Sequence, residues 1–247
     1  MRSLGLALRY LTIAPIPAGA HVEPTTLGRA AAWFPPIGLA IGLVVAGAEW
    51  MIGALFPPLL DALLTVTVWK LLTGGLHLDG LADCLDGLVG RDPADRLRIM
   101  RDSRIGAFGA IGLILFLLLE VAAVAELSPE TRWRTLSAAP ALARAMPPFV
   151  AWIFPSATPL GQGATFRSGL RRARVLVALL LGAAVTVAAL GVTGLAVLVL
   201  VVAVSLGLGW FFTHRLGGVT GDVLGATIEI AELIALLTLV AWTSAPR

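Results

Sequence analysis

Residues 175–204 read VLVALLLGAAVTVAALGVTGLAVLVLVVAV, with no charged side chain among them. Valine-rich runs favour strands by propensity alone. Length and apolarity argue for lipid, however, and in lipid only helices or closed barrels satisfy every backbone group. The run lacks the in–out polar alternation of a barrel strand. It therefore reads as two membrane helices parted at Gly191–Gly194. A spanning helix needs about 20 apolar residues. Working outward, seven stretches meet or approach that length: 35–56, 59–78, 106–125, 137–155, 175–192, 195–213 and 223–243. The expected fold is all-α, a polytopic integral membrane helical bundle of about 6–7 transmembrane helices. It forms a single membrane domain over 1–247, with 35–243 as the bundle and 1–34 as an amphipathic N-terminal segment.

Composition agrees. Of 247 residues, 58% are hydrophobic and 13% charged, about half the usual charged share of roughly 25%. The mean hydropathy is +0.92. A soluble globule would lack the polar surface to cover itself, so a soluble cytosolic enzyme, a disordered chain and a disulfide scaffold are excluded. Cys84, the single cysteine, has no internal partner. All but Lys70 of the 18 basic residues are Arg. In a membrane protein that bias reflects topology and anionic lipid, not nucleic acid. The opening MRSLGLALRYLTIAPIPAGA is broken by Arg9, Pro15 and Pro17, which reads as a membrane-surface segment and not a cleaved signal.

Arginine placement sets the expected sidedness. With 79–104 on the cytoplasmic side, residues 1–34, 156–174 and 214–222 fall on that side too. Those segments hold Arg2, Arg9, Arg29, Arg91, Arg96, Arg98, Arg101, Arg104, Arg167, Arg171, Arg172, Arg174 and Arg215, against Arg132, Arg134 and Arg247 opposite. The positive-inside rule then places the N-terminus inside and, with seven spans, the C-terminus outside. Merging one short span would flip the C-terminus.

Three polar clusters fall on that cytoplasmic side. Thr73–Gly90 reads TGGLHLDGLADCLDGLVG. Asp79, Asp83 and Asp86 follow at spacings of four and three, which places all three on one helix face. Such a trio alone can equally solvate a helix end. Two further clusters on the same side favour a site, and hard oxygen donors without clustered Cys or His favour Mg²⁺ or Mn²⁺ over Zn²⁺. His77 lies in the same motif. The second cluster, RDSRIGAFG (101–109), offers Asp102 to complete a metal site and Ser103 and Arg104 to hold phosphate. Arg96 and Arg98 upstream read as topogenic anchors. The third cluster, HRLGGVTGDVLGA (214–226), supplies Gly218, Thr220 and Asp222. Its glycine-rich run reads either as a phosphate-binding loop before a helix or as a plain interhelical loop.

Ionisable residues inside predicted spans are Glu49, Lys70, Glu120, Arg144, Glu229 and Glu232. Such residues face a bundle interior or wet cavity and pair there. Arg144 is the candidate phosphate or carboxylate partner. Either Glu229 and Glu232 both line the cavity or one of them neutralises Arg144. Gly38 and Gly42 in GLAIG permit close helix packing, and Trp33, Trp50, Trp69, Trp133, Trp152 and Trp242 are expected at the interfaces.

Taken in order, TGGLHLDGLADCLDGL, RDSRIGAFGAIGL and RLGGVTGDVLGA, with RYLTIAPIP and WFPPIGLAIGLV at the start, resemble the cobalamin synthase family of adenosylcobinamide-GDP ribazoletransferases. The resemblance covers nearly the whole chain. It implies an Mg²⁺-dependent enzyme of the bacterial cytoplasmic (inner) membrane with its polar site facing the cytoplasm. Such an enzyme joins adenosylcobinamide-GDP to α-ribazole, or its 5′-phosphate, and releases GMP. On that expectation Asp79, Asp83 and Asp86 bind the metal, and Asp83, Asp102, Asp222 and Arg104 carry the chemistry. Arg144, Ser103, Gly218, Thr220, His77 and Glu229 then contact substrate. The resemblance also leaves room for a homo-oligomer and for association with other late cobalamin-pathway enzymes, and gives nucleic acid no role. A CDP-alcohol phosphotransferase is the alternative enzyme, but Gly80 is followed by Leu81, Ala82 and Asp83 and not by its DG-x-x-AR spacing. A transporter would place its carboxylates nearer the bilayer midplane, often in two related halves.

Overall fold

A computed structural model describes residues 2–15 and 26–244. Within them the elements are α1 (Arg2–Leu11), α2 (Thr26–Arg29), a 3₁₀ turn (Ala31–Trp33), α3 (Phe34–Gly53), α4 (Pro58–Thr73), α5 (Leu76–Gly87) and α6 (Pro93–Ile99). These lead into α7 (Ala107–Glu126), α8 (Pro129–Ile153), α9 (Gln162–Ser168), α10 (Arg172–Leu190), α11 (Val192–Leu216) and α12 (Gly221–Ser244). The fold is all-α. Residues 16–25, within the expected N-terminal segment, and Arg247 lie outside the described residues.

Local chemistry sets the boundaries. Proline opens α3, α4, α6 and α8, where its missing N–H costs nothing and its fixed φ suits a first turn. Between α4 and α5, Gly74 and Gly75 have φ of +65° and +67°, left-handed values that favour glycine. The chain turns there by 93°. The expected span 59–78 is therefore not one helix: α4 ends at Thr73, and α5 lies across one end of the bundle.

Five helices are long and apolar enough to cross a membrane, the 3₁₀ turn continuing into α3, then α7, α10, α11 and α12. The count is six if the bent α4–α5 pair is one span. The seventh expected stretch, 137–155, belongs to α8. That helix is 25 residues long but carries Arg132, Arg134 and Arg144. Its residues Thr135–Pro148 are all buried, so its polar groups meet protein and not lipid. α10 and α11 take the opposite role: 22% of the α10 window is buried against 72% of the α12 window. The apolar stretch that sets the fold thus forms the periphery.

Small residues let α3 meet α8. A Cβ on Gly38 would lie 2.2 Å from the Pro140 carbonyl oxygen, and one on Gly42 2.5 Å from that of Leu136. Close approach of this kind is how membrane helices associate. Gly38→Val is expected to lower stability by about 1–3 kcal/mol through overpacking, read as a lower unfolding temperature in detergent.

Rising numbers in α3 meet falling numbers in α8: Gly38 with Pro140, Gly42 with Leu136 and Ser137, Glu49 with Arg132. The pair is antiparallel. Contacts then gather the arginine-rich segments at one end. The Ile13 N–H donates to the Leu72 carbonyl (3.0 Å), and Arg96 donates to the Arg215 carbonyl (3.2 Å). Phe34 stacks on Phe166 with centroids 5.7 Å apart, and an isolated bridge joins Ser156 to Val219. At the opposite end Arg132 binds Glu49 and Asp61 (3.1 and 3.2 Å).

α1 does not merely rest on a membrane surface. Ala7 and Leu11 are fully buried, and Tyr10 stacks on Phe34. One tryptophan expectation is corrected. Trp33, Trp50, Trp133, Trp152 and Trp242 are exposed, Trp50 at 78%, but Trp69 is 0% exposed. It sits in the core beside Lys70, whose ammonium lies 5.0 Å from the ring centroid.

Candidate functional site

α5 presents its acidic face at the arginine-rich end. Asp79 is exposed, Asp83 half-buried and Asp86 buried. A cleft of about 490 Å³ opens there, lined by Asp79, Asp83, Arg101, Asp102, Ser103 and Arg104. Beside it lies a smaller chamber of about 220 Å³, lined by Arg101, Thr158, Gln162, Thr220, Gly221 and Asp222. Met100 and Arg101 border both.

Glycine fixes this geometry. A Cβ on Gly80 would lie 2.8 Å from the Asp222 carbonyl oxygen, so glycine at 80 lets the start of α12 pack directly on α5. Asp222 then acts electrostatically on Asp83. Partial burial, then the charges of Asp79, Asp222 and Asp86, push the Asp83 carboxyl up to about 7. Crowded carboxylates of this kind are relieved by a cation.

Asp86 faces elsewhere. Its carboxylate accepts the N–H groups of Gly106 (2.7 Å) and Gly109 (2.8 Å), which caps the start of α7 in favourable dipole geometry. A Cβ at either glycine would lie 2.4 Å from that carboxylate. The glycines of RIGAFG thus serve the cap. Helical spacing puts Asp86 on the face of Asp79 and Asp83, but its oxygens are turned to a partner 20 residues away.

Asp102 accepts from the Arg104 backbone N–H, Nε and Nη2 (3.1, 3.0 and 2.7 Å). Hydrogen bonds from Arg104 hold its carboxyl down at about 2. Arg104 is 86% exposed and paired. The Arg101 guanidinium, between the two cavities, makes no hydrogen bond or ion pair among the described residues. Thr220 Oγ1 donates to Asp222 (3.2 Å) and accepts the Val223 N–H (3.2 Å).

The glycine-rich loop is closed and not an open nest at Gly218. A Cβ there would lie 2.5 Å from the backbone of Pro155, Ser156 and Ala157. Ala157 N–H donates to Val219 O (3.0 Å), and Val219 N–H to Pro155 O (2.8 Å). His214 bonds the Trp210 carbonyl (2.8 Å) as an anchor.

His77, Arg144 and Glu229 lie away from both cavities, each at most 1% exposed. Arg144 Nη1 donates to Glu232 Oε1 (2.5 Å). The Lys70 ammonium sits 2.7 Å from Glu120, 2.7 Å from Glu229 and 3.5 Å from Glu232. Glu232, then, is the residue that neutralises Arg144, while Glu229 pairs with Lys70. These glutamates are the one group of three or more such side chains among the described residues in which one oxygen from each lies within 4.8 Å of the others. Lys70 already supplies their cation. Asp79, Asp83 and Asp222 are spread more widely. Few protein carboxylates with room for water and phosphate oxygens is a donor set that suits Mg²⁺.

Charge patterning singled out α5 and 101–109, but not Thr158, Gln162 or the closure of 155–163 on 217–221. That wall is neutral and carries no periodic signal. The one sequence signal there is Pro155 and Pro159, which break the chain ahead of Gln162 at the start of α9.

A sequence model of the cobalamin-5-phosphate synthase family matches residues 3–240. A Geotalea daltonii protein named adenosylcobinamide-GDP ribazoletransferase is 37% identical, with 98% of each chain covered. A Roseiflexus protein of that name is 40% identical over 96% of this chain and 88% of its own. A Pseudomonas aeruginosa protein of the same name is 39% identical over 97% and 98%. No solved structure matches.

Proposed function

The chain belongs to the cobalamin-5-phosphate synthase family, and from that footing we propose that its arginine-rich end joins adenosylcobinamide-GDP to α-ribazole, or to the 5′-phosphate of α-ribazole, with release of GMP. It is a multi-pass membrane enzyme of cobalamin synthesis. The observation that carries the placement of the reaction is the convergence of Asp79, Asp83, Asp222 and Arg101, which has no partner among the described residues, on adjoining cavities at one end.

The reaction is one displacement at phosphorus. A ribose hydroxyl of ribazole bonds to the cobinamide-linked phosphorus. The P–O bond of the pyrophosphate bridge breaks, the bridging oxygen leaves with GMP, and the hydroxyl proton goes to a carboxylate or to water. Little covalent work falls to the protein, which positions the reactants and offsets charge. Asp79 and Asp83 are the residues that would hold Mg²⁺, and Asp222 lines the adjoining chamber. When bound, Mg²⁺ neutralises pyrophosphate oxygens and makes the phosphorus more electrophilic. Arg101 offers a free guanidinium fork to phosphate oxygens, Arg104 adds charge at the rim, and Ser103 adds a hydroxyl. Asp222 is the carboxylate placed to receive the hydroxyl proton. His77, Arg144 and Glu229 act as support from inside the bundle.

The arginine asymmetry supports a cytoplasm-facing cleft in a bacterial inner membrane. Purified protein in nanodiscs, given both substrates, is expected to release GMP with Mg²⁺ and none with EDTA. Folded protein releasing no GMP with either would overturn the reading. A pH dependence accompanies it. Asp83 holds its proton below about pH 7, and only the carboxylate binds metal. The Mg²⁺ concentration for half-maximal rate is therefore expected to rise as pH falls below 7, by up to about tenfold per unit. A requirement flat between pH 6 and 8 would contradict it.

A further inference from the structure

Two cavities meet at Arg101, and their chemistry differs. The larger carries Asp79, Asp83, Asp102 and Arg104, the equipment for a charged pyrophosphate. Apart from Asp222 and the shared Arg101, the smaller is lined by neutral groups: Thr158, Gln162, Thr220 and glycine backbone. At about 220 Å³ it lies below the usual range of roughly 300–1,000 Å³ for drug-sized ligands. It suits a nucleoside better than a nucleotide diphosphate or a corrin ring.

The wall is built rigidly. Reciprocal backbone bonds join 155–157 to Val219. A Cβ on Gly163 would lie 3.1–3.3 Å from the Thr220–Gly221 backbone. These contacts bring Thr158 and Gln162 to one chamber with Thr220 and Asp222, the Gln162 amide oxygen lying beside Gly221.

We propose that this smaller chamber is the acceptor subsite: Thr158, Gln162 and Thr220 hold the neutral heterocyclic riboside while its hydroxyl faces Asp222 and the cleft beyond Arg101. This rests on the reaction proposed above, because a single displacement requires both substrates bound at once with nucleophile and phosphorus adjacent. Division of labour follows from the lining: charged groups grip the donor, neutral groups select the acceptor. Gln162 and Thr158 are specificity-determining residues.

The test measures both KM values in nanodiscs, together with calorimetric binding of α-ribazole alone. Gln162→Ala and Thr158→Val are expected to raise the KM for α-ribazole and weaken its binding about tenfold, the size of one lost hydrogen bond of about 1.4 kcal/mol. The KM for adenosylcobinamide-GDP should stay within about twofold, and Gln162→Asn should recover part of the loss. A bulky Gln162→Trp should block ribazole binding while leaving adenosylcobinamide-GDP binding in place. Unchanged ribazole binding in all variants, or a loss confined to adenosylcobinamide-GDP, would overturn the subsite. Binding separates the two claims: wild-type protein that binds ribazole through Gln162 but releases no GMP leaves the subsite standing and removes the proposed reaction.

Discussion

Asp83→Asn is expected to lower GMP release by at least about a thousandfold, at the upper end of what a single electrostatic group supplies, while the protein stays folded in the membrane. The substitution keeps shape and removes the anion. Partial burial, then the charges of Asp79, Asp222 and Asp86, raise the Asp83 carboxyl to about 7. A folded-state value above the ordinary one has a definite sign. The carboxyl favours the fold while it is protonated, and that support is lost as pH rises through 7. Asn carries no such penalty. The variant should therefore unfold at the same or a higher temperature than wild type at pH 8, with activity gone. Loss of activity together with a lower unfolding temperature would mean that Asp83 is structural. Normal turnover would remove it from the reaction.

Arg144→Leu is expected to destabilise by about 3–5 kcal/mol, the usual cost of stranding one partner of a buried ion pair. Arg144 is 0% exposed and bonds Glu232, which is 1% exposed. Without it, Lys70 alone faces Glu120, Glu229 and Glu232. The double replacement Arg144→Met with Glu232→Leu removes one charge of each sign, and an ion pair replaced by apolar side chains of similar volume is often neutral or stabilising. The double variant should recover most of the lost unfolding temperature in detergent. A double variant as unstable as the single one would mean that packing around α8, and not charge balance, sets the loss.

Hydropathy revealed most of the bundle because a spanning helix declares itself by length. Its signal weakens where a helix is shielded by protein: 137–155 approaches spanning length, but the helix that holds it begins at Pro129 and carries charge. α8 carries Arg132 and Arg144, whose partners Glu49, Asp61 and Glu232 arrive from α3, α4 and α12. The sequence offers Glu229 or Glu232 to Arg144 without choosing between them, and no local pattern joins Arg132 to Glu49 and Asp61. The 59–78 stretch looked continuous because its break, Gly74–Gly75, shows only in backbone torsion. Trp69 looked like a belt residue because its burial depends on neighbours far along the chain.

The same division holds at the cleft. Asp79 and Asp83 share a helix face by spacing, and 101–104 announced itself by charge. The third aspartate of the series, Asp86, kept the helical phase, but the amides of Gly106 and Gly109 claimed its oxygens. Gly218 looked like part of a phosphate loop, yet it lies against residues 155–157. Thr158 and Gln162 were illegible because neutral residues in and just after a loop reach Asp222 only through a pairing some sixty residues apart, recorded by the Ser156–Val219 bridge.

Photo-crosslinking tests the central claim most directly, because the structure offers a competitor. A cavity of about 690 Å³ lies at the opposite end, beside Glu49, Asp61 and Arg132. Adenosylcobinamide-GDP bearing a photoreactive guanine, bound to the intact protein in nanodiscs and mapped by mass spectrometry, is predicted to mark residues 75–83 and 100–105. Excess unlabelled substrate should suppress those adducts. Adducts concentrated instead around residues 46–61 and 129–137 would place the substrate at the far end and contradict the account.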